Sequence, residues 1–294
     1  MSITLSFPLL AQAFVSGIML GGVFALIAIG LTLIWGVMGI INFAHGEFLM
    51  VGMYIAYFLA ARTGLDPYFT ILVTVPALFL IGAGIFRVNI QPVLKDPVMN
   101  QILLTVGLML VLQNLALVLF TATPLSLDNP YNKMIFNVGP VVIPLSNLLG
   151  FVGSLLGVAI LWWFLRYTDM GRAIRAASQN REAATLMGID VRRTYLVAFG
   201  IGSACVGLAA SLMIPFYYVA PLVGAFLGLV AFIVVILGGM GNVLGALVGG
   251  LIIGLTETMG AAILPGSLSR VLTFAIFILV LLFRPQGIFG RRQA

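Results

Sequence analysis

The sequence predicts an all-α integral membrane protein, a polytopic bundle of about eight or nine transmembrane helices. Apolar residues make up 62% of the 294 residues and charged residues only 7%, whereas an ordinary soluble domain carries about 25% charged residues. The mean hydropathy is +1.21. A soluble fold is therefore excluded, and we expect residues 1–294 to form a single transmembrane domain.

Nine apolar runs follow one another along the chain. A helix needs about 20 apolar residues to cross the roughly 30 Å hydrocarbon layer of a bilayer. The runs cover residues 9–35, 48–61, 69–86, 102–122, 148–167, 195–215, 224–237, 244–262 and 272–283. The run 48–61 is shorter than a full crossing, so it is tilted, extends back to Asn42, or re-enters the membrane under neighbouring helices.

The distribution of Lys and Arg predicts the orientation of the bundle. These residues concentrate in three connecting regions, at 87–95, 166–193 and 284–292. Cytoplasmic loops carry an excess of Lys and Arg, so nine crossings place the N-terminus and the loops 62–66, 123–147 and 262–269 outside. The net charge of +6 therefore reflects membrane topology, and we expect no nucleic-acid partner.

The outside loop 123–147 is rich in Pro, Asn and Ser, with turn signals at Asn129-Pro130 and Gly139-Pro140. Two interpretations remain open for this loop. It is either a solvated connector between two spans or a docking surface for a partner outside the cell.

The segment 42–48 places ionisable residues between two apolar runs. It contains Asn42, Glu47 and His45, which is the only histidine of the chain. A charge inside a bilayer costs at least about 2.5–3.5 kcal/mol, so such residues usually face a cavity or a partner. His45 and Glu47 are two positions apart and do not share a helical face, but both reach one cavity if Gly46 breaks the helix. The alternative is an interfacial turn whose side chains contact water.

Three further polar residues lie within apolar runs: Gln113, Asn114 and Glu257. Glu257 either lines the same pathway as the segment 42–48 or is a buried glutamate hydrogen-bonded to a neighbouring helix. Gln113 and Asn114 either add polar groups to that cavity or bridge two helices. The candidate substrate pathway thus comprises Asn42, His45, Glu47, Gln113, Asn114 and Glu257.

The most charged stretch of the chain is the predicted cytoplasmic segment 168–193. Thr168 or Asp169 can cap the start of a helix there, and Gly188 can end it before Asp190 begins another. A short helix with a small-residue surface flanked by arginines suits insertion into a groove on a cytosolic partner.

Four motifs together carry a resemblance to a known family. Within the segment 168–193, EAATLMG at 182–188 matches the E-A-A-x-x-x-G loop of ABC-importer permeases. NFAHGEF at 42–48, GGMGNVLGALVGG at 238–250 and RPQGIFG at 284–290 extend the match. With these motifs, nearly the whole chain resembles the branched-chain amino acid permease family.

The resemblance implies an ABC-importer permease, the transmembrane subunit of a bacterial ATP-driven importer for branched-chain amino acids that works by alternating access. In that family the permease lies in the inner membrane and pairs with a second, similar permease as a heterodimer. It works with two cytosolic ATPases and a periplasmic binding protein. Carried over residue by residue, the ATPase-coupling contact comprises Glu182, Ala183, Ala184 and Gly188.

The ATP-driven motor is expected on other chains. The sequence contains no G-x-x-x-x-G-K-[ST] phosphate loop, and neither Lys95 nor Lys133 follows a glycine. ATP and Mg²⁺ would therefore be bound by the partner ATPases. His45 and Glu47 have His-x-Glu spacing, not H-E-x-x-H, and there is no second histidine, so we expect neither a metal site nor an enzyme.

Two other functions remain open. Related permeases carry urea, short amides or other small carboxylates and keep similar motifs, so the identity of the solute is less constrained than the mechanism. An ion-coupled secondary transporter with Glu257 as its ion or proton site belongs to a different class. That class leaves the E-A-A motif unexplained.

Overall fold

Helices dominate the computed structural model, which describes residues 6–264, 268–284 and 286–290. The helices are α1 (Phe7–Met38), α2 (His45–Thr63), α3 (Ile71–Ile85), α4 (Gln91–Val93), α5 (Val98–Phe120), α6 (Leu145–Tyr167), α7 (Asp169–Gln179), α8 (Arg181–Leu186), α9 (Val191–Met213), α10 (Val223–Gly238), α11 (Val243–Ile263) and α12 (Leu268–Phe283). A 3-10 turn at Pro67–Thr70 precedes α3, and a π-helical turn at Phe86–Ile90 joins α3 to α4.

Within these described ranges, six helical segments are long and apolar enough to cross a membrane. They are Phe7–Met38, Pro67–Val93, Val98–Phe120, Leu145–Tyr167, Val191–Met213 and Val243–Ile263. The shorter helices α2, α10 and α12 account for the three remaining apolar runs. The polytopic helical bundle that the sequence predicts is therefore confirmed.

The core of the bundle is built around α1, whose residues from Gly21 to Ile34 are all buried. Its most extensive contact is with α11, and small residues line both sides of it. A Cβ atom added at Gly21 would lie 2.8 Å from the carbonyl oxygen of Gly250, and one added at Gly250 would lie 2.6 Å from the Cβ of Ala25. The two backbones approach closely because glycine leaves room for them.

Helix α5 lies at the periphery. Only 11% of an apolar 18-residue stretch of this helix is buried inside the chain, against 89% of the corresponding stretch of α1. Its long side chains, such as Leu103 and Val118, are exposed. This surface is available to lipid or to another membrane subunit.

One end of the bundle gathers the loops that the sequence places outside. The Tyr131 hydroxyl donates to the carboxylate of Asp66, and this hydrogen bond raises the pKa of Tyr131. The Asn129 amide donates to the carbonyl oxygen of Pro215 (2.8 Å). The contacts join the connections after α2, α5 and α9, which agrees with the alternation that the sequence predicts.

The predicted outside loop 123–147 also contains a β-hairpin, which the sequence pattern did not indicate. Strand β1 (Ile135–Val138) pairs antiparallel with β2 (Val141–Pro144), and Gly139 has a φ of +60° in the turn between them. Ile135, Phe136 and Val138 are all exposed. The choice between connector and docking surface stays a prediction.

The opposite end gathers the predicted cytoplasmic loops. The backbone N–H of Ile288 donates to the carbonyl oxygen of Leu237 (2.8 Å), which fixes the closing segment to the end of α10. A Cβ added at Gly239 would lie 2.7 Å from the backbone nitrogen of Gly290, so the GGMG motif packs directly against residues 286–290. Pro285, Arg291 and Arg292, and residues 265–267 of the predicted outside loop 262–269, lie outside the described residues.

Candidate functional site

The N-terminus of α2 lies inside the bundle. After α1 ends at Met38, Gly39 adopts a φ of +69° and residues 40–44 run back along α1, so that His45 Nε2 donates to the carbonyl oxygen of Ile27 (3.0 Å). Because α1 rises about 1.5 Å per residue, Ile27 lies about 16 Å before the end of that helix. The second helix therefore starts deep in the protein and runs from there to the end of the bundle that contains Asp66.

Three polar side chains at this start are completely buried. Asn42, His45 and Glu47 are each 0% exposed, and no side chain caps α2. Asn42 Oδ1 accepts from the backbone N–H of Ala44 (3.2 Å). Asn42 Nδ2, His45 Nδ1 and both Glu47 carboxylate oxygens have no hydrogen-bond partner in the described part of the chain. Each buried polar group without a partner costs about 1–3 kcal/mol.

His45 and Glu47 point to different sides of α2. A Cβ added at Gly30 of α1 would lie 3.2 Å from both His45 Cε1 and the Cβ of Cys205 on α9. A Cβ added at Gly224 of α10 would instead lie 2.8 Å from the carboxyl carbon of Glu47. The structure thus places His45 towards α1 and α9, and Glu47 towards α10.

Gly46 does not break the helix, which was the condition under which His45 and Glu47 would reach one cavity. Gly46 is the second residue of α2, and a Cβ added to it would meet the carbonyl oxygen of Gly224 and lie 2.7 Å from the Cα of Gly228. Its role is to let α2 approach α10. The interruption falls earlier, at residues 39–44.

The other candidate pathway residues lie elsewhere. Asn114 is exposed on α5 and donates to the carbonyl oxygen of Leu110 (2.8 Å), and Gln113 is half-buried beside it. Glu257 is half-buried on α11, next to Thr258, whose hydroxyl donates to the carbonyl oxygen of Ala13 (2.8 Å). Ala13 precedes Ile27 on α1 by about 21 Å along the helix axis, so Glu257 lies near the end of the bundle at which α1 begins, the predicted outer end.

Sequence reasoning missed Thr32, which is buried on α1. Its hydroxyl has no hydrogen-bond partner within the described residues, and it lines a cavity of about 930 Å³ at the predicted cytoplasmic end, together with Arg166, Arg175 and Asn242. A threonine inside a long apolar run was the only signal. In the same described ranges, no group of three or more His, Cys, Asp or Glu residues is placed to hold a metal ion.

The predicted cytoplasmic segment forms α7 and α8, and side chains cap the starts of these helices. Thr168 Oγ1 accepts from the N–H of Gly171 (3.0 Å), as predicted, and Asn180 Oδ1 accepts from the N–H of Ala183 (2.9 Å). Gly188 has a φ of +82°, beyond the end of α8. Asp190 Oδ1 then accepts from the N–H of Arg193 (3.1 Å) and starts α9.

The four predicted coupling residues have different environments. Glu182 and Ala183 are exposed on α8, and Gly188 is exposed in the turn after it. The side chain of Ala184 is 4% exposed and packs against the core, so it fixes α8 to the bundle rather than facing outwards.

Two apolar residues that the motif did not highlight extend from the end of this helix. Leu186 is 88% exposed and Met187 is 82% exposed. Large apolar side chains with this exposure on a charged surface are typical of a protein interaction site.

Comparison with known proteins identifies the family. The family model for the permease component of branched-chain amino acid transport systems matches residues 13–281. The chain is 33% identical to the high-affinity branched-chain amino acid transport system permease protein LivH of Salmonella typhimurium and 34% identical to BraD of Pseudomonas aeruginosa, in each case over 96% of both chains.

A more distant relative is the ribose import permease protein RbsC of Escherichia coli, which is 28% identical over 78% of this chain and 72% of its own. No solved structure gives a significant match. The family match and the two permeases that align along nearly their whole length agree with each other. The chain belongs to the family of branched-chain amino acid transport system permeases.

Proposed function

We propose that this chain is a transmembrane permease subunit of a bacterial ATP-driven importer for branched-chain amino acids. The family match across residues 13–281 carries this proposal, and the names of the LivH and BraD relatives support the solute class. The whole chain, 1–294, serves as one permease domain in the inner membrane and does not act as an enzyme.

The chain works with other subunits in this proposal. A second, similar permease forms a heterodimer with it, two cytosolic ATPases bind ATP and Mg²⁺, and a periplasmic binding protein delivers the solute. The lack of a phosphate loop in the sequence supports separate ATPases. The peripheral position of α5 leaves an apolar surface that a second permease can cover.

The substrate pathway passes the buried start of α2 in this proposal. Helix N-termini attract anions because their free N–H groups and dipole carry partial positive charge. An amino acid presents a carboxylate to that end and an ammonium group to Glu47, whose oxygens have no partner in the described residues. Interrupted helices with such ends are typical of transporter binding sites. Gln113, Asn114 and Glu257 stay predicted pathway residues, with Glu257 nearer the outside.

The ATPase contact lies around α8, at Glu182, Ala183 and Gly188, with Ala184 holding the helix on the bundle. Leu186 and Met187 fill an apolar groove on the ATPase in this proposal, because they are the large apolar side chains exposed there. Motion of the ATPase then moves α8 together with α7 and α9, to which it is joined by capped turns.

Uptake measurements test the transport function. A bacterial strain lacking this chain should lose uptake of radiolabelled leucine, isoleucine and valine, and the full-length chain should restore it only when both ATPases are present. Restored uptake of urea or a short amide without leucine uptake would assign a different solute. Uptake that follows an ion gradient without the ATPases would refute the ATP-driven class.

A double variant, Leu186→Gln with Met187→Gln, tests the coupling contact. Because both side chains are exposed, we expect an unchanged unfolding temperature and at least a tenfold fall in ATP-dependent uptake, about 1.4 kcal/mol of lost coupling. Met134→Gln makes the same chemical change on an exposed residue at the opposite end and serves as the control. Equal uptake by the double variant and the control would refute the assignment.

A further inference from the structure

A basic pocket of about 330 Å³ opens at the cytoplasmic end, beside α8. Its lining combines Arg87 from the π-helical turn, Lys95 from the loop after α4, Arg181 from the start of α8 and Arg192 from the first turn of α9. The other lining residues are Gln91, Pro92, Leu94, Val191 and Tyr195, so none of the residues that line it is acidic. Three separate parts of the chain thus place four cations around one cavity.

Within the described residues, none of these four cations forms an ion pair with an acidic side chain. In the described residues, the two ion pairs are Lys133 with Asp128 and Arg172 with Asp169, and neither involves the pocket. The Arg181 guanidinium lies over the ring of Tyr195, 5.8 Å from its centroid, which holds Arg181 at the pocket. Like charges gathered in a concave site raise the local concentration of anions. The preference for Lys and Arg on cytoplasmic loops explains why these four residues lie on that side of the membrane. It does not explain why they line one pocket.

The position of the pocket relates it to the bilayer. It lies at the cytoplasmic end of the span Pro67–Val93. Only 28% of an apolar 18-residue stretch of this span is buried inside the chain. On this span Leu80 is 68% exposed, and Val88, next to Arg87, is 72% exposed. An apolar surface therefore runs from the depth of the membrane to the edge of the basic pocket.

We propose that this pocket binds the phosphate group of an anionic phospholipid of the cytoplasmic leaflet, with the acyl chains against the exposed face of α3. Basic pockets beside transmembrane helices on the cytoplasmic side suit such headgroups. Arg181 is the first residue of α8, so the bound lipid also contacts the start of the helix proposed to receive the ATPase. The same phosphate chemistry is offered by free inorganic phosphate, which the test distinguishes.

Lipid retention tests the proposal on the full-length chain purified in a mild detergent. The probes are dioleoylphosphatidylglycerol and dioleoylphosphatidylcholine, and native mass spectrometry measures the lipid bound at rising concentration. Each cation near a lipid surface contributes about 1 kcal/mol, or about fivefold in affinity. We expect Arg87→Gln with Arg192→Gln to weaken phosphatidylglycerol binding about 25-fold. The matched control, Arg62→Gln with Lys133→Gln, removes two cations at the opposite end and should leave binding unchanged.

Each outcome decides the proposal. Unchanged phosphatidylglycerol binding in the Arg87/Arg192 variant would overturn it, as would equal retention of phosphatidylcholine by the native chain. Displacement of the lipid by millimolar inorganic phosphate, with phosphate itself bound, would assign the pocket to the free anion instead. If the double variant fails to fold, Lys95→Gln alone should weaken binding about fivefold. Loss of the ATPases from the assembled transporter irrespective of lipid would reassign the pocket to a protein contact.

Discussion

The start of α2 and the segment α7–α8 are both polar interruptions between apolar helices, but their hydrogen bonding differs. At the start of α2 no side chain caps the helix, and Asn42, His45 and Glu47 retain buried polar atoms without partners in the described chain. In the cytoplasmic segment, Thr168 and Asn180 each cap a helix. The first region leaves buried polar atoms without partners in the described chain, whereas the second satisfies the starts of its helices with its own side chains.

This difference separates two tasks that composition alone does not distinguish. A buried group without a partner weakens the fold by about 1–3 kcal/mol, and this cost is the reason for proposing a binding role for the start of α2. A capped helix on the surface keeps its shape when another protein pushes on it. The proposed pathway therefore leaves buried polar side chains without partners, whereas the proposed coupling site uses polar side chains to cap its helices.

The largest effect is expected from Gly46→Val, which tests whether the start of α2 depends on close contact with α10. The added Cβ would lie 2.7 Å from the Cα of Gly228, and because backbone cannot move aside easily, we expect a loss of about 3 kcal/mol in stability. Thermal unfolding in detergent measures it. Gly107→Val on α5 is the matched control, since nothing lies within 4 Å of its added Cβ. Equal unfolding temperatures for both variants would show that α2 and α10 do not pack as described.

A smaller effect is expected from Glu47→Gln, which keeps the shape of the side chain but removes its negative charge. Hydrogen bonds to charged groups are worth about 1.5–3 kcal/mol, so leucine uptake should fall about tenfold or more while membrane insertion is retained. Arg62→Gln removes an exposed charge at the other end of α2 and should leave uptake near the native rate. Native uptake by Glu47→Gln would instead make Glu47 a packing residue.

The smallest effect is expected from Asn180→Ala, which removes the cap of α8. Loss of such a cap costs about 1 kcal/mol, so the backbone amides of α8 should exchange with deuterium about fivefold faster. The amides of α7 serve as an internal control because Thr168 still caps that helix. Unchanged exchange in α8 would mean that packing of Ala184, rather than the cap, holds the helix.

Much of the fold could be predicted because apolar runs and charged loops follow directly from the cost of placing polar groups in lipid. The nine apolar runs correspond to helical elements, and the cap at Thr168 and the stop at Gly188 lie where the sequence places them. The depth at which α2 starts could not be predicted, because the path of residues 39–44 depends on the helices that surround it.

Three residues, Gly46, Leu186 and Met187, show why the sites were harder to predict than the helices. Gly46 serves close packing, yet a glycine that packs and a glycine that breaks a helix look the same in a sequence. Leu186 and Met187 resemble core residues by type, and only their exposure in the folded chain indicates a contact surface. The hairpin at Ile135–Pro144 was missed because its strands are only four residues each.

The pairing of α1 with α11 constrains how the protein is made. About 200 residues separate the end of α1 at Met38 from the start of α11 at Val243, and a ribosome adding about 5–20 residues per second needs roughly 10–40 seconds to synthesise them. Throughout that interval, the glycine-containing face of α1 lies in the membrane without α11, the helix that later covers it. Assembly of the core is therefore completed late in synthesis, after most of the chain has already entered the bilayer.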